Sequence, residues 1–167
     1  MPVIDNKILD HQQIHHKIMR ISYQIYETFV DEDEIIIAGI SGGGLTFAKK
    51  IHEAFEKISD IKMILCEVKI DKENLLSGIK TSLSEEEYTN KSVVLVDDVL
   101  NSGGTLIYAV RHFLNVPLRK FKTVVLVDRN HKKYPVKADF KGISLSTSLH
   151  EHVEVSFKAN DYSVYLT

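Results

Sequence analysis

The sequence predicts an α/β fold: a mostly parallel sheet flanked by helices, with a small hood of further strands towards its end. Three observations predict it. Ile35 to Ile40, Val93 to Val96 and Val124 to Val127 are unbroken apolar runs, the pattern of parallel strands buried on both faces. The stretches between them place apolar residues at helical spacing, so strands alternate with helices and right-handed crossovers are expected. After Ile143 the pattern changes to short alternating segments, which suit strands added at an edge or in a hood.

The elements follow in order. Asp10 is placed to cap a helix with Gln13 at the reciprocal position, and Ile14, Ile18, Ile21, Ile25 and Phe29 form its apolar stripe. The acidic run Asp31 to Glu34 ends that helix as a solvated loop before the strand Ile35 to Ile40. Leu45 to Ile58 reads as a helix with Phe47, Ile51, Ala54, Phe55 and Ile58 near one face. Lys62 to Val68 is a strand, and Lys69 to Lys91 a Ser- and Glu-rich mobile segment. Val93 to Val96 is the next strand and is expected to end at Asp97 and Asp98; Leu106 to Leu114 is the helix after it. Val124 to Val127 repeats the buried-strand pattern, and His152 to Phe157 and Tyr162 to Leu166 are the strands of the tail.

No repeat, low-complexity tract or linker divides the 167 residues, so one compact domain over 1–167 is expected, with 44% hydrophobic content to build its core. A net charge of -2 supplies no global attraction to nucleic acid or to an anionic membrane. The single cysteine, Cys66, excludes an intramolecular disulfide, fits a reducing cytosol, and lies in an apolar stretch that makes it a core thiol. No signal peptide opens the chain and no apolar run approaches a membrane span, so a cytoplasmic protein is expected.

The chemistry concentrates in Val93 to Leu106, VVLVDDVLNSGGTL. Two carboxylates at the C-terminal edge of a buried parallel strand sit where open α/β sheets bind ligands. They can accept hydrogen bonds from vicinal hydroxyls or hold a hydrated magnesium ion. Asn101, Ser102, Gly103, Gly104 and Thr105 follow, and the helix beginning near Leu106 points free backbone N–H groups into that loop, which makes an anion site suited to phosphate. No Lys follows the glycines as in a Walker loop, and the spacing is not GxGxxG. A second cluster, Ser41, Gly42, Gly43 and Gly44, also stands between a strand and a helix, and can take a second anionic group through its N–H groups.

VVLVDDVLNSGGTL resembles the phosphoribosyl pyrophosphate (PRPP) motif of the type I phosphoribosyltransferases. The resemblance implies that Asp97 and Asp98 are the catalytic pair and hold the ribose hydroxyls, and that Asn101 to Thr105 cradle the 5-phosphate. It implies that Ser41 to Gly44 take the pyrophosphate, with Mg2+ held indirectly by Asp97 and Asp98 through PRPP hydroxyls or water. VVLVDRNHKKYPVKADFKGISLST, from Val124 to Thr147, is similar to a region of PyrR-type proteins, which are bifunctional pyrimidine-operon regulators and uracil phosphoribosyltransferases. The opening ILDHQQIHHKIMRISYQI is similar to their amino-terminal helix, so the resemblance covers nearly the whole chain.

What the resemblance implies is transfer of the ribose 5-phosphate of PRPP to a nucleobase, with uracil favoured, giving UMP and pyrophosphate. Hypoxanthine or guanine is the alternative base. The alternative of another class is a PyrR-like regulatory module that binds nucleotide or PRPP and pyrimidine-operon RNA with weak or no catalysis. Phe140 resembles the aromatic on which the base stacks in relatives, with a core aromatic as the equal alternative; the Lys141 to Ile143 backbone is able to read base edges; and Arg129 could face pyrophosphate or base, with a surface or structural role as the favoured alternative. Relatives are commonly oligomers, so a homo-oligomer is expected. PyrR-type proteins have arginines where this chain has Gly43 and Gly104, and their Tyr-Arg-Asp-Asp loop has no clear counterpart between Lys69 and Lys91. Each charged hydrogen bond removed in this way is worth about 1.5–3 kcal/mol. His11 and His15 have the spacing of a helical metal pair but no evident third ligand, and read as a polar helix face. His131, Lys132 and Lys133 extend Arg129 into a basic stretch that reads as a solvated loop, with RNA phosphate contact the alternative.

Overall fold

The computed structural model describes residues 6–148 and 151–167. Its order is β1 (Lys7–Leu9), α1 (His11–Thr28), β2 (Glu34–Ile40), α2 (Gly43–Glu56), β3 (Lys62–Ile70) and a short 3-10 turn (Leu75–Ser77). There follow β4 (Ile79–Thr81), α3 (Glu85–Tyr88), β5 (Ser92–Leu100), α4 (Gly104–Phe113), β6 (Lys120–Asp128), β7 (Phe140–Ser144), β8 (Val153–Lys158) and β9 (Asp161–Leu166). Six strands form the central sheet in the order β4-β3-β2-β5-β6-β7. The pairs β3/β2, β2/β5, β5/β6 and β6/β7 are parallel, and β4 joins β3 antiparallel.

The sheet has two cores because its central strands are apolar on both faces. Ile35, Ile37, Val94, Val96, Val124 and Leu126 meet the stripes of α1 and α2, including Ile14, Ile21, Ile25, Phe47, Ile51 and Phe55. Ile36, Ala38, Val93, Leu95 and Val125 meet Leu106, Ala109 and Phe113 of α4 on the other face. Cys66 is buried in this second core, and burial pushes its thiol pKa up. The capping box at the start of α1 forms as expected, with Asp10 Oδ1 accepting from Gln13 N at 2.8 Å and Gln13 Oε1 from Asp10 N at 2.9 Å.

A second sheet, ordered β1-β9-β8, is the hood. Phe157 stacks on Phe47 of α2 at 6.0 Å, and Tyr162 N donates to Nδ1 of His11 at 3.0 Å. The imidazole of His11 thus anchors the hood to α1. Among the described residues no cluster of His, Cys, Asp or Glu forms a metal site, and no helix is long and apolar enough to cross a membrane.

Two regions differ from expectation. The Lys69 to Lys91 segment is built rather than open: β4 extends the sheet edge, and the Tyr88 ring of α3 is buried 5.0 Å from that of Phe113. Nor does the strand after Val93 stop at the aspartates. Asp97 pairs with Val125 and Leu100 with Asp128, so the ladder to β6 carries β5 past the two acids to Leu100.

Candidate functional site

The C-terminal edge of β2, β5 and β6 gathers the two glycine loops and both acids. In β5, Asp98 N donates to Asp97 Oδ1 and Val99 N to Asp98 Oδ1, each at 2.9 Å, so both carboxylates are held by the backbone just beyond them. Asp97 is buried, and its carboxyl pKa is pushed up to about 8, first by burial and then by the Asp98 carboxylate. Lys72, with Nζ 3.9 Å from Asp97 Oδ1, opposes the rise. The Asp97 carboxyl therefore keeps its proton to higher pH than an ordinary aspartate.

The expected phosphate loop lies directly beyond. Gly103 has φ +87°, which lets the chain turn into α4, and a Cβ there would stand 2.7 Å from Val136 Cγ1. Ser102 Oγ accepts from Gly104 N at 3.2 Å, and the Ser102 carbonyl accepts from Lys133 N at 2.7 Å and Tyr134 N at 3.2 Å. The loop is thus clamped from behind by the segment after β6. A cavity of about 70 Å³ lies in front of it, lined by Lys72, Asp97, Asn101, Ser102, Gly103 and Thr105. Amides of the first turn of α4 have no carbonyl partners within the helix and supply the donors an anion needs.

The second loop lies one strand over. Gly42 has φ +92° and leads into α2 at Gly43. An ideal Cβ on Gly43 would lie 2.0 Å from Asp98 Oδ2 and 2.6 Å from its Cγ. The Asp98 carboxylate therefore rests against the start of α2, where only a glycine leaves room for it. Ser41 N donates to the Val68 carbonyl at 2.8 Å, tying the loop to β3, and Ser41 also lines a wider opening of about 570 Å³ with Lys69 and Lys80.

The three residues expected at the base are distributed differently. Phe140 begins β7 level with Val124, two strands or about 10 Å from β5, and its ring packs against the core shared with α1 and α2. It is not brought to the edge where the acids and loops meet. The Lys141 and Gly142 carbonyls accept from Arg20 Nη2 at 3.0 and 2.9 Å, which uses backbone acceptors expected to read a base. The Lys141 side chain instead reaches Asp128 Oδ2 at 3.5 Å. Arg129 is buried with its guanidinium turned inward: Nε donates to Thr147 Oγ1 at 3.0 Å, Nη1 to Asn101 Oδ1 at 2.9 Å, and Nη2 to the Ser148 and Glu151 carbonyls. Four of the five guanidinium N–H donors are committed in this way, which leaves little to offer pyrophosphate or base.

Asp128 and Lys72 were not singled out in the sequence. Asp128 is 1% exposed at the end of β6, with Lys141 and Lys132 at 3.5 and 4.0 Å from Oδ2 and Asn130 N donating to Oδ1 at 3.0 Å. Its signal was its place, the last residue of a buried strand and in register with Leu100 beside the phosphate loop. Lys72 carried no signal of its own, since only the fold brings it to Asp97.

Two glycine turns, each leading into a helix, flank a pair of acids at one edge of a mostly parallel sheet. A model of the phosphoribosyl transferase domain matches residues 5–161, and the chain belongs to that family. Within it the chain is a member of the PyrR group. It is 34% identical over 153 residues to the bifunctional protein PyrR of Streptococcus thermophilus, covering 89% of this chain and 88% of that one. It is 31% identical over 159 residues to that of Streptococcus pneumoniae, covering 93% and 91%. Solved structures share the fold at lower identity. A hypoxanthine-guanine phosphoribosyltransferase of Bacillus anthracis superposes with TM-score 0.77 at 18% identity over 100% of both chains. The hypoxanthine phosphoribosyltransferase of Trypanosoma cruzi gives 0.79 at 14% over 97% and 95%. The type I phosphoribosyltransferase fold expected from the sequence is the fold observed.

Proposed function

We propose that the chain transfers the ribose 5-phosphate of PRPP to a nucleobase, with uracil as the base. The observation that carries this reading is the Asp97–Asp98 pair beside the phosphate cradle and within contact of the second glycine loop. Asp97 and Asp98 bind the two ribose hydroxyls, Asn101 to Thr105 hold the 5-phosphate, and Ser41 to Gly44 receive the pyrophosphate. The reaction is displacement at the anomeric carbon, where the base nitrogen attacks as pyrophosphate leaves and positive charge develops on the ribose. Asp97 and Asp98 lie beside that charge, and orientation plus electrostatic stabilisation supply the rate.

The site also fits magnesium. It offers two hard carboxylates and, among the described residues, no third acidic ligand, which suits an ion that keeps its waters and binds mainly through substrate phosphates. Asp97 and Asp98 would hold it through water or PRPP hydroxyls, and when bound it neutralises the leaving pyrophosphate. Uracil is supported by the PyrR relatives, and the purine enzymes that share the fold make hypoxanthine and guanine the comparison bases.

A second reading is a regulatory module that binds PRPP or nucleotide, and pyrimidine-operon RNA, with weak turnover. It is favoured by the Asp98 carboxylate against Gly43, which sets a negative charge before a loop whose own donors are backbone amides. Incubation with PRPP, magnesium and uracil, hypoxanthine or guanine, followed by pyrophosphate release, separates the two. Release with uracil supports the enzyme. Saturable nucleotide binding without release from any base overturns it in favour of the regulatory module.

A further inference from the structure

Arg129 follows β6 at the lip of the site, yet its guanidinium hydrogen bonds run to other segments of the chain. One arm, Nη1, holds Asn101 at the entrance of the phosphate loop at 2.9 Å. The other, through Nε and Nη2, holds Thr147 Oγ1 and the Ser148 and Glu151 carbonyls in the segment that leads into hood strand β8. Its own backbone N–H donates to the Leu100 carbonyl at 3.1 Å, so residue 129 is fastened to β5 as well. The two segments it joins are 46 residues apart in sequence, from 101 to 147, and neither holds the other by any side-chain hydrogen bond recorded among the described residues.

The charge balance is as informative as the geometry. Arg129 is 8% exposed, and every hydrogen-bond partner is neutral: a hydroxyl, an amide oxygen and two carbonyls. The neighbouring carboxylate of Asp128 is engaged by Lys132 and Lys141 instead. A buried cation without a paired carboxylate is costly unless its hydrogen bonds are complete, and it gains when an anion arrives nearby. Asn101, which Nη1 holds, also lines the phosphate cradle.

From this we infer that Arg129 is a positioning residue that couples the phosphate loop to the hood: an anion settling at Asn101 to Thr105 stabilises the guanidinium and, through its other arm, Thr147, Ser148 and Glu151 ahead of hood strand β8. A planar fork reaching two elements at once performs this role, whereas the single ammonium of lysine cannot hold both. The strut itself stands on the geometry, while its response to ligand rests on the function proposed above.

The test has one arm for each. In the free protein, Asn101→Ala and Thr147→Val are combined in a double-mutant cycle read by urea unfolding, first with Arg129 present and then in an Arg129→Met background. The expected result is a non-additive shift of the unfolding midpoint with Arg129 and an additive one without it; additivity in both backgrounds overturns the strut. In the second arm, ribose 5-phosphate is titrated by calorimetry and hydrogen exchange is followed in β8, Val153–Lys158. Saturation slows exchange there severalfold in the wild type, and the increment disappears in Arg129→Lys and in Thr147→Val. A merely structural arginine changes the protection of the free protein and leaves the increment intact, which overturns the coupling. If ribose 5-phosphate gives no saturable heat with the wild type while the cycle is non-additive, the proposed function fails and the strut stands.

Discussion

Replacing Asp97 by asparagine isolates the energetic cost of the site in one measurement. The carboxyl is 4% exposed, and its pKa rises from 3.8 to about 8, chiefly through burial and then through Asp98. The unfolded chain releases this proton in the ordinary carboxylate range. Between the two values folding therefore takes up a proton, and a bound proton in the native state means stability that falls as pH rises. The contribution is complete below about pH 4, is lost as pH climbs through about 8, and changes no further beyond. One proton corresponds to about 1.4 kcal/mol per pH unit, so from about pH 6 to 8 the wild type loses about 2 kcal/mol that an asparagine does not lose. Groups common to both proteins cancel in the difference. Urea unfolding of both proteins at three pH values across that window measures it, and in a chain of 167 residues the gap in Tm should widen by about 4–8 °C. Parallel stability profiles for Asp97→Asn and the wild type would refute the buried, protonated acid.

Lys72→Met removes the one positive charge that holds the Asp97 pKa down, so the carboxyl should titrate at higher pH than in the wild type; carbon NMR of the Asp97 carboxyl shows the direction, and a lower midpoint refutes the contact. Gly43→Ala forces the Asp98 carboxylate away from the start of α2, since the new Cβ would lie 2.0 Å from Oδ2. Ribose 5-phosphate affinity should fall about 10–100-fold, the worth of one charged hydrogen bond, as read by calorimetry. Ile21→Ala in α1, at a position with no exposure, should cost about 2–5 kcal/mol in urea unfolding through the cavity it leaves.

The sequence carried the parts of the fold that local pattern encodes. The three buried strands, the capping box of Asp10 and Gln13, and the two tail strands are each written in a handful of adjacent residues. The candidate site was legible where strand, acids and glycine loop are contiguous, from Val93 to Thr105. It was illegible where the fold joins distant positions. Lys72 meets Asp97 across 25 residues of sequence, and Arg129 turns inward because acceptors at Asn101, Thr147, Ser148 and Glu151 converge on it. Phe140 carried a family resemblance, but the pairing of β7 with β6 fixes its level and sets its ring into the core. The polar composition of Lys69 to Lys91 concealed β4 and α3, whose stability comes from pairing with β3 and from the burial of Tyr88 rather than from any periodicity of their own.

The central strand of the hood is β9, and its partner on one side is β1, with Lys7 opposite Tyr165 and Leu9 opposite Val164. This pairing joins the first described strand to the last. During synthesis β2, α2, β5 and both glycine loops are made before β9, so the edge that carries the loops and the acids precedes its cover. The hood is then a checkpoint: a chain cut short between Thr105 and Asp161 has the loops and the acids but lacks the strand that holds β1 and β8 together.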